Sequence, residues 1–564
     1  MKFDNLNNLN EIFLEIFKSR KQKNFLFYLQ DGQYNSISWN EVNNKIKSLS
    51  NFFHEKGILK GDRILLASEN RPEWLISDLA VTNLGAITVP NYTTYTVKDF
   101  SYVIKDCSPK ALIVSNDEIL EKILLAAKNN NFKFEFIIKF NDNFTEGIFN
   151  FNKIKESNFE KKQKVLRSDP ACIIYTSGTQ GNPKGVILSH GGIISNCEGA
   201  IEIIKEIKTK QFKFLTWLPL SHSYEHTIQF VQMAVGAEIY YSPKIEQLLE
   251  NIKLAKPDIM TAVPRFYNNL YNKMFVGATK ANFFKKWLFF QTVKIGTKIF
   301  LKQKINILER VNNLLLELLV RKKILKNFGG NLKAFVSGGG PLDKNVGIFL
   351  NALGLKTLQG YGLTETSPVV SCNPINDIKI ETVGIPLKNV KVKIASDGEI
   401  LVQGENIMLG YWNNEKATND IIKNNWLHTG DIGVLDDDGF LKITDRKKDI
   451  IVSSGGDNIS PSKLENLLCL NNEISQAYVH GDNQKFLSCL LVLNKEIKFD
   501  NEKIKKIIEN VNKNLTIVEK IKKFHILNEE FSIENELMTP TMKIKRHKIK
   551  EKYKNILENF YKKN

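Results

Sequence analysis

Short apolar runs recur from the N-terminus to about residue 440, at Arg63–Ala67, Ala111–Val114, Phe136–Ile138 and Cys172–Tyr175. Amphipathic or polar stretches separate them. Strands that alternate with helical patterns predict α/β units and parallel sheets. No fixed-period self-similarity is present, which excludes a solenoid, and no long low-complexity stretch interrupts the pattern.

The texture changes at Gly398. Gly398–Val402 and Gly439–Thr444 read as short strands, with Asp436–Gly439 as the turn before the second. Three consecutive Asp suggest a turn rather than a cation loop, which needs ligands spread over about twelve positions. A basic cluster, Arg446-Lys447-Lys448, follows. Beyond it a smaller unit begins: a strand-like Ile450–Ser453, a Gly-Gly turn at Gly455-Gly456, and a helix from about Ser460. Strands near Gln476–His480 and Leu487–Leu493 and then Lys-rich helices complete it. The composition places a domain boundary near residues 445–448.

Residues 281–328 stand apart. Phe283, Phe284, Trp287, Phe290, Ile295, Ile299 and Phe300 lie at roughly helical spacing beside Lys285, Lys286, Lys294, Lys298 and Lys302. Two readings stay open: a basic amphipathic surface that lies on a membrane, or an apolar stripe packed on the core.

The 564 residues suffice for several buried cores, and 42% hydrophobic with 25% charged residues is ordinary globular composition. This excludes a disordered tail, a collagen and a disulfide scaffold. The 79 Lys+Arg against 61 Asp+Glu give a net charge of +18. Such an excess attracts polyanions, among them nucleic acid, anionic lipid, nucleotides and CoA, and it also fits lysines spread over solvated faces. The six cysteines form no C-x-x-C pair and show no zinc spacing. Scattered thiols suit a reducing cytosol. The N-terminus lacks the apolar core of a signal peptide, and no apolar run approaches the ~18 residues of a membrane span. A cytoplasmic protein, at most peripheral to a membrane, is expected.

Three strings carry chemistry. In Tyr175–Gly185, YTSGTQGNPKG, an apolar strand runs into hydroxyls, glycines and a lysine. Small residues let backbone N–H groups approach phosphate oxygens, Thr176, Ser177 and Thr179 add donors, and Lys184 adds charge. The loop is not a Walker A motif, because Pro183 precedes Lys184 and Gly185 follows it. In Gln359–Pro368, QGYGLTETSP, Gly360 and Gly362 allow close backbone approach and Tyr361 offers a flat face for a nucleobase. Thr364 adds a hydroxyl, and Glu365 a carboxylate suited to Mg²⁺ held against phosphates. In Trp426–Gly433, WLHTGDIG, Asp431 can accept both ribose hydroxyls. His428 reads as a structural hydrogen-bonding group in preference to a base.

Taken in order with GDRILLASENRPEW (Gly61–Trp74), LPLSHS (Leu218–Ser223), VSGGGPL (Val336–Leu342), TDRKKD (Thr444–Asp449) and TPTMKIKR (Thr539–Arg546), these strings resemble the adenylate-forming superfamily. That superfamily holds acyl-CoA synthetases, adenylation domains and luciferases, and the resemblance covers essentially the whole chain. GYGLTETSP and WLHTGDIG…GFLKITDRKKD look most like its long-chain fatty acid branch.

The resemblance implies a large α/β N-terminal domain of several subdomains with mostly parallel sheets (1–445), a hinge (446–448), and a small mobile α+β domain (449–564). It implies ATP, Mg²⁺ and CoA as reactants and cofactor, and a fatty acid substrate. Thr176, Ser177, Gly178, Thr179, Gly181 and Lys184 match the phosphate loop, where Gln180 replaces the commoner Thr. Gly338 and Gly339 match the adenine pocket, and Gln359, Gly360, Tyr361 and Gly362 the aromatic-bearing strand beside it. Thr364 matches a phosphate contact, Glu365 the magnesium ligand, and Asp431 and Arg446 ribose contacts. Lys448 matches the hinge, and Lys543 the lysine that bridges acyl carboxylate and phosphate. The tail has Thr541-Met542 before that lysine in place of the commoner Gly, and Lys545 is the alternative. His222 and Tyr224 match the region lining the acyl pocket; His226 follows Glu225 where Arg is expected. Gly455 and Gly456 resemble the loop beside the pantetheine path.

A rival enzyme reading hands the acyl group to a carrier protein, although no appended carrier domain is evident. A non-enzymatic reading, a basic nucleic-acid or membrane binder, rests on charge alone, since no nucleic-acid motif is present. Acyl chain length and oligomeric state are not encoded in any of these strings.

Overall fold

The structure is a computed structural model that describes all residues except 1, 142–145, 161–162, 177–182, 456, 495–500, 514, 540–542 and 563–564. Two large sheets build most of the chain. In the nine-stranded sheet, Thr357–Gly362, Ala334–Ser337, Ile259–Ala262, Lys213–Thr216, Glu238–Tyr241 and Asn24–Gln30 run parallel in that order. Antiparallel strands close both of its edges. In the eight-stranded sheet, Pro170–Thr176, Ile87–Asn91, Arg63–Ala67, Ala111–Val114 and Phe136–Lys139 are parallel neighbours. All four strand-like runs seen in the sequence are therefore strands.

Arg63–Ala67 explains why these runs read as unbroken apolar stretches. Ile64 and Leu66 point into one core while Leu65 and Ala67 point into another, so both faces are buried. The first core is shared. It holds Ile64 and Leu66 of one sheet, Ile239 and Tyr241 of the other, and Trp39, Trp74 and Phe230 of the helices between them. Helices buried on all sides must be apolar all round or satisfy their polar groups internally. Pro72–Asn83 follows the first rule for most of its length. Ser223–Ala234, in which every residue is buried, follows the second only in part: Glu225, Thr227, Gln229 and Gln232 each have a partner, while Glu225 Oε1, Gln229 Nε2 and Gln232 Nε2 have none among the described residues.

A third sheet is antiparallel throughout: Lys391–Ile394, Glu399–Gln403, Trp426–Leu435, Ile422–Lys423 and Leu441–Arg446. The turn before its last strand closes with Gly439 N–H donating to Asp436 O at 2.9 Å. Lys379 Nζ neutralises Asp436 and Asp438 at 2.7 and 2.6 Å, so the Asp run is a lysine-clamped turn. No group of three or more His, Cys, Asp or Glu is placed to hold a metal among the described residues.

Beyond residue 449 lie a short hairpin, Ile451–Val452 with Asn458–Ile459, and a three-stranded mixed sheet of Ile474–His480, Leu487–Leu493 and Ile521–Leu527. The last strand corrects the expectation of an all-helical Lys-rich tail. Ile521 and Leu527 are buried, whereas Lys522 and Lys523 stay exposed on an edge strand, where lysine also discourages further pairing. Lys98 Nζ meets Glu536 Oε1 at 2.9 Å, joining this unit to the eight-stranded side. All six cysteines are free thiols, and no helix among the described residues is long and apolar enough to cross a membrane.

Candidate active site

The site forms where the carboxyl ends of the parallel strands meet the third sheet and the C-terminal unit. Strand Pro170–Thr176 pairs antiparallel with Lys184–Ser189, and Thr176 faces Lys184 in register. Ser177, Gly178, Thr179 and Gly181 of the phosphate-suited loop lie outside the described residues. Lys184 Nζ sits 4.6 Å above the ring of Tyr411, a cation–π contact. The Tyr411 hydroxyl donates to Glu365 Oε1 at 2.7 Å, which orients that carboxylate. Burial and the Glu365 charge hold the Tyr411 phenol well above its ordinary pKa.

Strand Thr357–Gly362 delivers the second string. Gly362 is obligatory, because a Cβ there would lie 1.8 Å from Pro368 O. The Tyr361 hydroxyl donates to Asp431 Oδ2 at 2.7 Å. Asp431 and Arg446 are register partners on adjacent strands, with Arg446 Nε 3.4 Å from Asp431 Oδ1. Burial raises the Asp431 pKa, opposed by Arg446, the Tyr361 hydrogen bond and Lys543. Thr364 Oγ1 lies 3.1 Å from Ser223 Oγ. The Gln359 side chain is taken up by main chain: its oxygen accepts from Leu342 N–H at 3.2 Å and its amide donates to Ile380 O. A Cβ at Gly360 would lie 3.3 Å from Ser371 O.

The opposite wall is Gly338, Gly339 and the buried helix Ser223–Ala234. The Tyr224 hydroxyl donates to Val336 O at 3.2 Å, and its ring lies so near Gly338 that a Cβ would fall 2.9 Å away. Gly339 has φ +79°, in the left-handed region. His222 caps the helix, its Nδ1 accepting from Tyr224 N–H at 3.1 Å. Burial and the Lys543 charge push its pKa down to about 4. At neutral pH the ring is uncharged and the proton belongs to Nε2.

Lys543 enters from the C-terminal unit. Thr539 N–H donates to Lys543 O at 2.8 Å, Lys543 N–H donates to Thr539 Oγ1 at 3.1 Å, and Met538 bridges to Ile544. Arg546, on the next turn, pins this segment: it donates to Glu465 Oε1 and Val479 O, both at 2.7 Å. The Lys543 side chain keeps solvent-accessible area yet stands in a cleft crowded by protein. That dehydration, followed by the Arg446 charge, lowers its pKa, while Asp431, Glu365 and Asp449 pull it upward. The Lys545 charge instead helps, after Lys98, to lower the pKa of Glu536.

Lys448 lies in the exposed turn 447–449 that follows strand Leu441–Arg446. Lys447, next to it, is held by Asp397 at 2.7 Å and Glu399 at 3.2 Å. His428 Nδ1 lies 3.2 Å from Glu399 Oε2, the structural role expected of it. Gly455 sits in the hairpin turn, its N–H donating to Ser453 Oγ at 3.1 Å, and Gly456 lies outside the described residues.

Sequence reading missed Tyr411, whose tie to Glu365 spans 46 positions; the Gly410-Tyr411-Trp412 string was its available signal. It also missed what His226 does. His226 Nε2 meets Asp78 Oδ2 at 2.8 Å, and Thr88 Oγ1 donates to Asp78 Oδ1 at 2.6 Å, all buried. The position where Arg was expected thus partners a buried carboxylate.

Residues 15–412 match the family described as AMP-binding enzyme, and residues 448–564 match the AMP-binding enzyme C-terminal domain. The chain is 32% identical to the long-chain-fatty-acid–CoA ligase FadD15 of Mycobacterium bovis, over 96% of each chain. It is 29% identical to long chain acyl-CoA synthetase 3 of Arabidopsis thaliana, over 94% of this chain and 88% of that one. Its fold superposes on an anthranilate CoA ligase, AuaEII, in complex with anthranoyl-AMP, with a TM-score of 0.77 at 20% identity and 98% coverage of both. With both matched segments in place and near-complete coverage of its relatives, the chain belongs to the AMP-binding enzymes, in the branch of the long-chain fatty acid–CoA ligases.

Proposed function

We propose that this protein converts a long-chain fatty acid to its CoA thioester through an acyl-adenylate. The observation that supports this most directly is the convergence of Lys543, Asp431, Arg446 and Glu365 on one cleft from two domains. A fatty acid carboxylate is anionic and lacks a leaving group. One of its oxygens attacks the α-phosphorus of ATP, the bond to the β-phosphate oxygen breaks, and pyrophosphate departs. The CoA thiolate then attacks the acyl carbon, and AMP leaves with the former carboxylate oxygen.

The protein's part is positioning and charge. Tyr361 stacks on the adenine, with Gly338 and Gly339 bordering it. Asp431 and Arg446 take the ribose, Thr176, Lys184 and Thr364 the phosphates. Glu365 fits a Mg²⁺ ion, which binds through one or two carboxylates plus phosphate oxygens; such an ion neutralises phosphate charge. In the free protein, the surrounding protein and then the Arg446 charge lower the Lys543 pKa. Phosphate oxygens beside it act the other way and favour the ammonium. His222 and Tyr224 line the acyl side, and Gly455 and Gly456 border the thiol's path.

Lys543 and the thiol cannot occupy the same approach together. The C-terminal domain therefore rotates between half-reactions about the turn at Lys448, where few dihedrals absorb the change. Lys448→Pro should keep ATP–pyrophosphate exchange and lose thioester formation; equal loss of both would remove the pivot from Lys448. The decisive experiment for the whole reading supplies short to very long acids with ATP, Mg²⁺ and CoA and measures AMP and thioester. Acid-dependent AMP with matching thioester is expected. Absence of acid-dependent AMP across the panel would overturn the reading.

A further inference from the structure

Within the helical segment Phe283–Lys326, helix Ile307–Leu316 and the first turns of the helix before it wear apolar side chains outward, while Phe289, Val293 and Phe300 pack on the core. Helix Ile307–Leu316 begins with a capping box, Asn306 with Glu309, so its own sequence fixes its start. Helical spacing puts Ile307, Val311 and Leu314 on one stripe with Leu308 and Leu315 beside it. Such a stripe ordinarily faces the core. Here Ile307 is 81% exposed, Leu308 75% and Leu314 69%. The buried residue, Leu316, lies on the opposite side. The preceding helix, Phe283–Phe300, is anchored by Ile295 and by Gly296, which abuts the backbone of Ala352. Its first turns expose Phe283, Phe284 and Trp287. Nearly half of the exposed large apolar side chains among the described residues fall between Phe275 and Leu319. Apolar exposure this concentrated marks an interaction surface.

Charge identifies what the surface meets. From Lys273 to Lys326 the chain carries thirteen Lys or Arg and two acidic residues. Both acids have basic neighbours: Glu309 is 2.5 Å from Lys298, and Glu317 is 3.4 Å from Arg321. Lys285 and Lys286 stand exposed between Phe284 and Trp287. A nucleic acid would engage the lysines and leave the leucines in water. A second copy would bring a surface of the same sign. An anionic bilayer takes both, with acyl chains around the apolar side chains and phosphates at the lysines. The surface is also joined to the site. Helix Pro264–Thr279 leaves strand Ile259–Ala262 at the site wall and reaches helix Phe283–Phe300, where Phe275 and Phe290 meet edge to face at 5.7 Å.

We infer that Phe283–Leu319 docks the protein on an anionic lipid bilayer, apolar stripe inserted and lysines at the headgroups. Its purpose, collecting a fatty acid from the membrane that dissolves it, rests on the reaction proposed above; the docking itself does not.

The test is co-sedimentation of the full chain with phosphatidylglycerol–phosphatidylcholine vesicles and with phosphatidylcholine alone. Salt-sensitive binding to the anionic vesicles is expected, with quenching of Trp287 fluorescence by brominated lipid that Trp287→Phe removes. Ile307→Gln with Leu314→Gln, and separately Lys285→Glu with Lys286→Glu, should each weaken binding about tenfold or more. Their thermal unfolding should match that of the parent. No binding to anionic vesicles, binding unchanged in both double variants, or a stable dimer that the glutamine variants dissolve would overturn the inference. AMP formation plays no part in these readings, so failure of docking and failure of the proposed reaction are told apart.

Discussion

Helix Ser223–Ala234 buries its polar side chains, while helix Ile307–Leu316 exposes its apolar ones. Both depart from the rule that governs most helices, and they depart in opposite directions. In the buried helix four polar side chains each have one hydrogen-bond partner. Thr261 donates to Glu225, Thr227 to Ser367 O, Tyr241 to Gln229, and Thr216 to Gln232. Inverted polarity inside is matched in part: each of these side chains has a partner within the protein, while Glu225 Oε1, Gln229 Nε2 and Gln232 Nε2 have none among the described residues, and the helix forms one wall of the candidate site. Inverted polarity outside has no such match on the chain's own surface, and its complement must come from elsewhere.

The comparison breaks most sharply at His226. His226→Ala leaves Asp78 buried with only the Thr88 hydroxyl, so a loss of about 3–5 kcal/mol in urea-unfolding stability is expected. A loss near zero would mean that the buried polar pairs are incidental. Next is Lys543, which shares its cleft with His222 at the head of the same helix. Lys543→Ala should slow ATP–pyrophosphate exchange by roughly 10²–10³ and leave conversion of supplied acyl-adenylate to thioester intact. Near-normal exchange would transfer the role to Lys545.

A smaller effect is expected at Glu225, whose burial pushes its pKa up to about 8. The folded state then holds a proton that the unfolded state releases at its ordinary pKa of about 4.5. Stability accordingly falls as pH rises between those two values and levels off above the higher one. Glu225→Gln should flatten that slope and raise the melting temperature at pH 8, a gain on the order of 3 kcal/mol. An unchanged slope would show the carboxyl to be ionised throughout. Smallest of all, Leu314→Ser should alter stability by no more than about 0.5 kcal/mol. A larger loss would mean that the outward stripe is part of the core after all.

Where the chemistry is written in contiguous strings, the sequence was readable. GYGLTETSP and WLHTGDIG each put their candidate residues on one strand or the turn beside it, and the structure brings Tyr361 to Asp431 and Asp431 to Arg446. What escaped were pairings across long separations. Asp78 and His226 are 148 positions apart, and no periodicity links them. The edge strand Ile521–Leu527 escaped because two lysines masked its apolar positions, and only its neighbour Leu487–Leu493 makes it a strand. Helical spacing in residues 281–328 singled out apolar positions of Phe283–Phe300, which the structure divides between core and surface; it did not single out the outward stripe of Ile307–Leu316, and it could not say which way either helix faces. Facing depends on whether other elements cover it, and that is a property of the whole chain.

Lys98 and Glu536 form an exposed pair at the rim between the eight-stranded sheet and the C-terminal unit. Exposed pairs contribute about 0–1 kcal/mol and fade with salt. This pair on its own therefore contributes little to holding the C-terminal unit at the rim. For the rotation proposed above, opening the pair adds only a small cost, and added salt makes that cost smaller still.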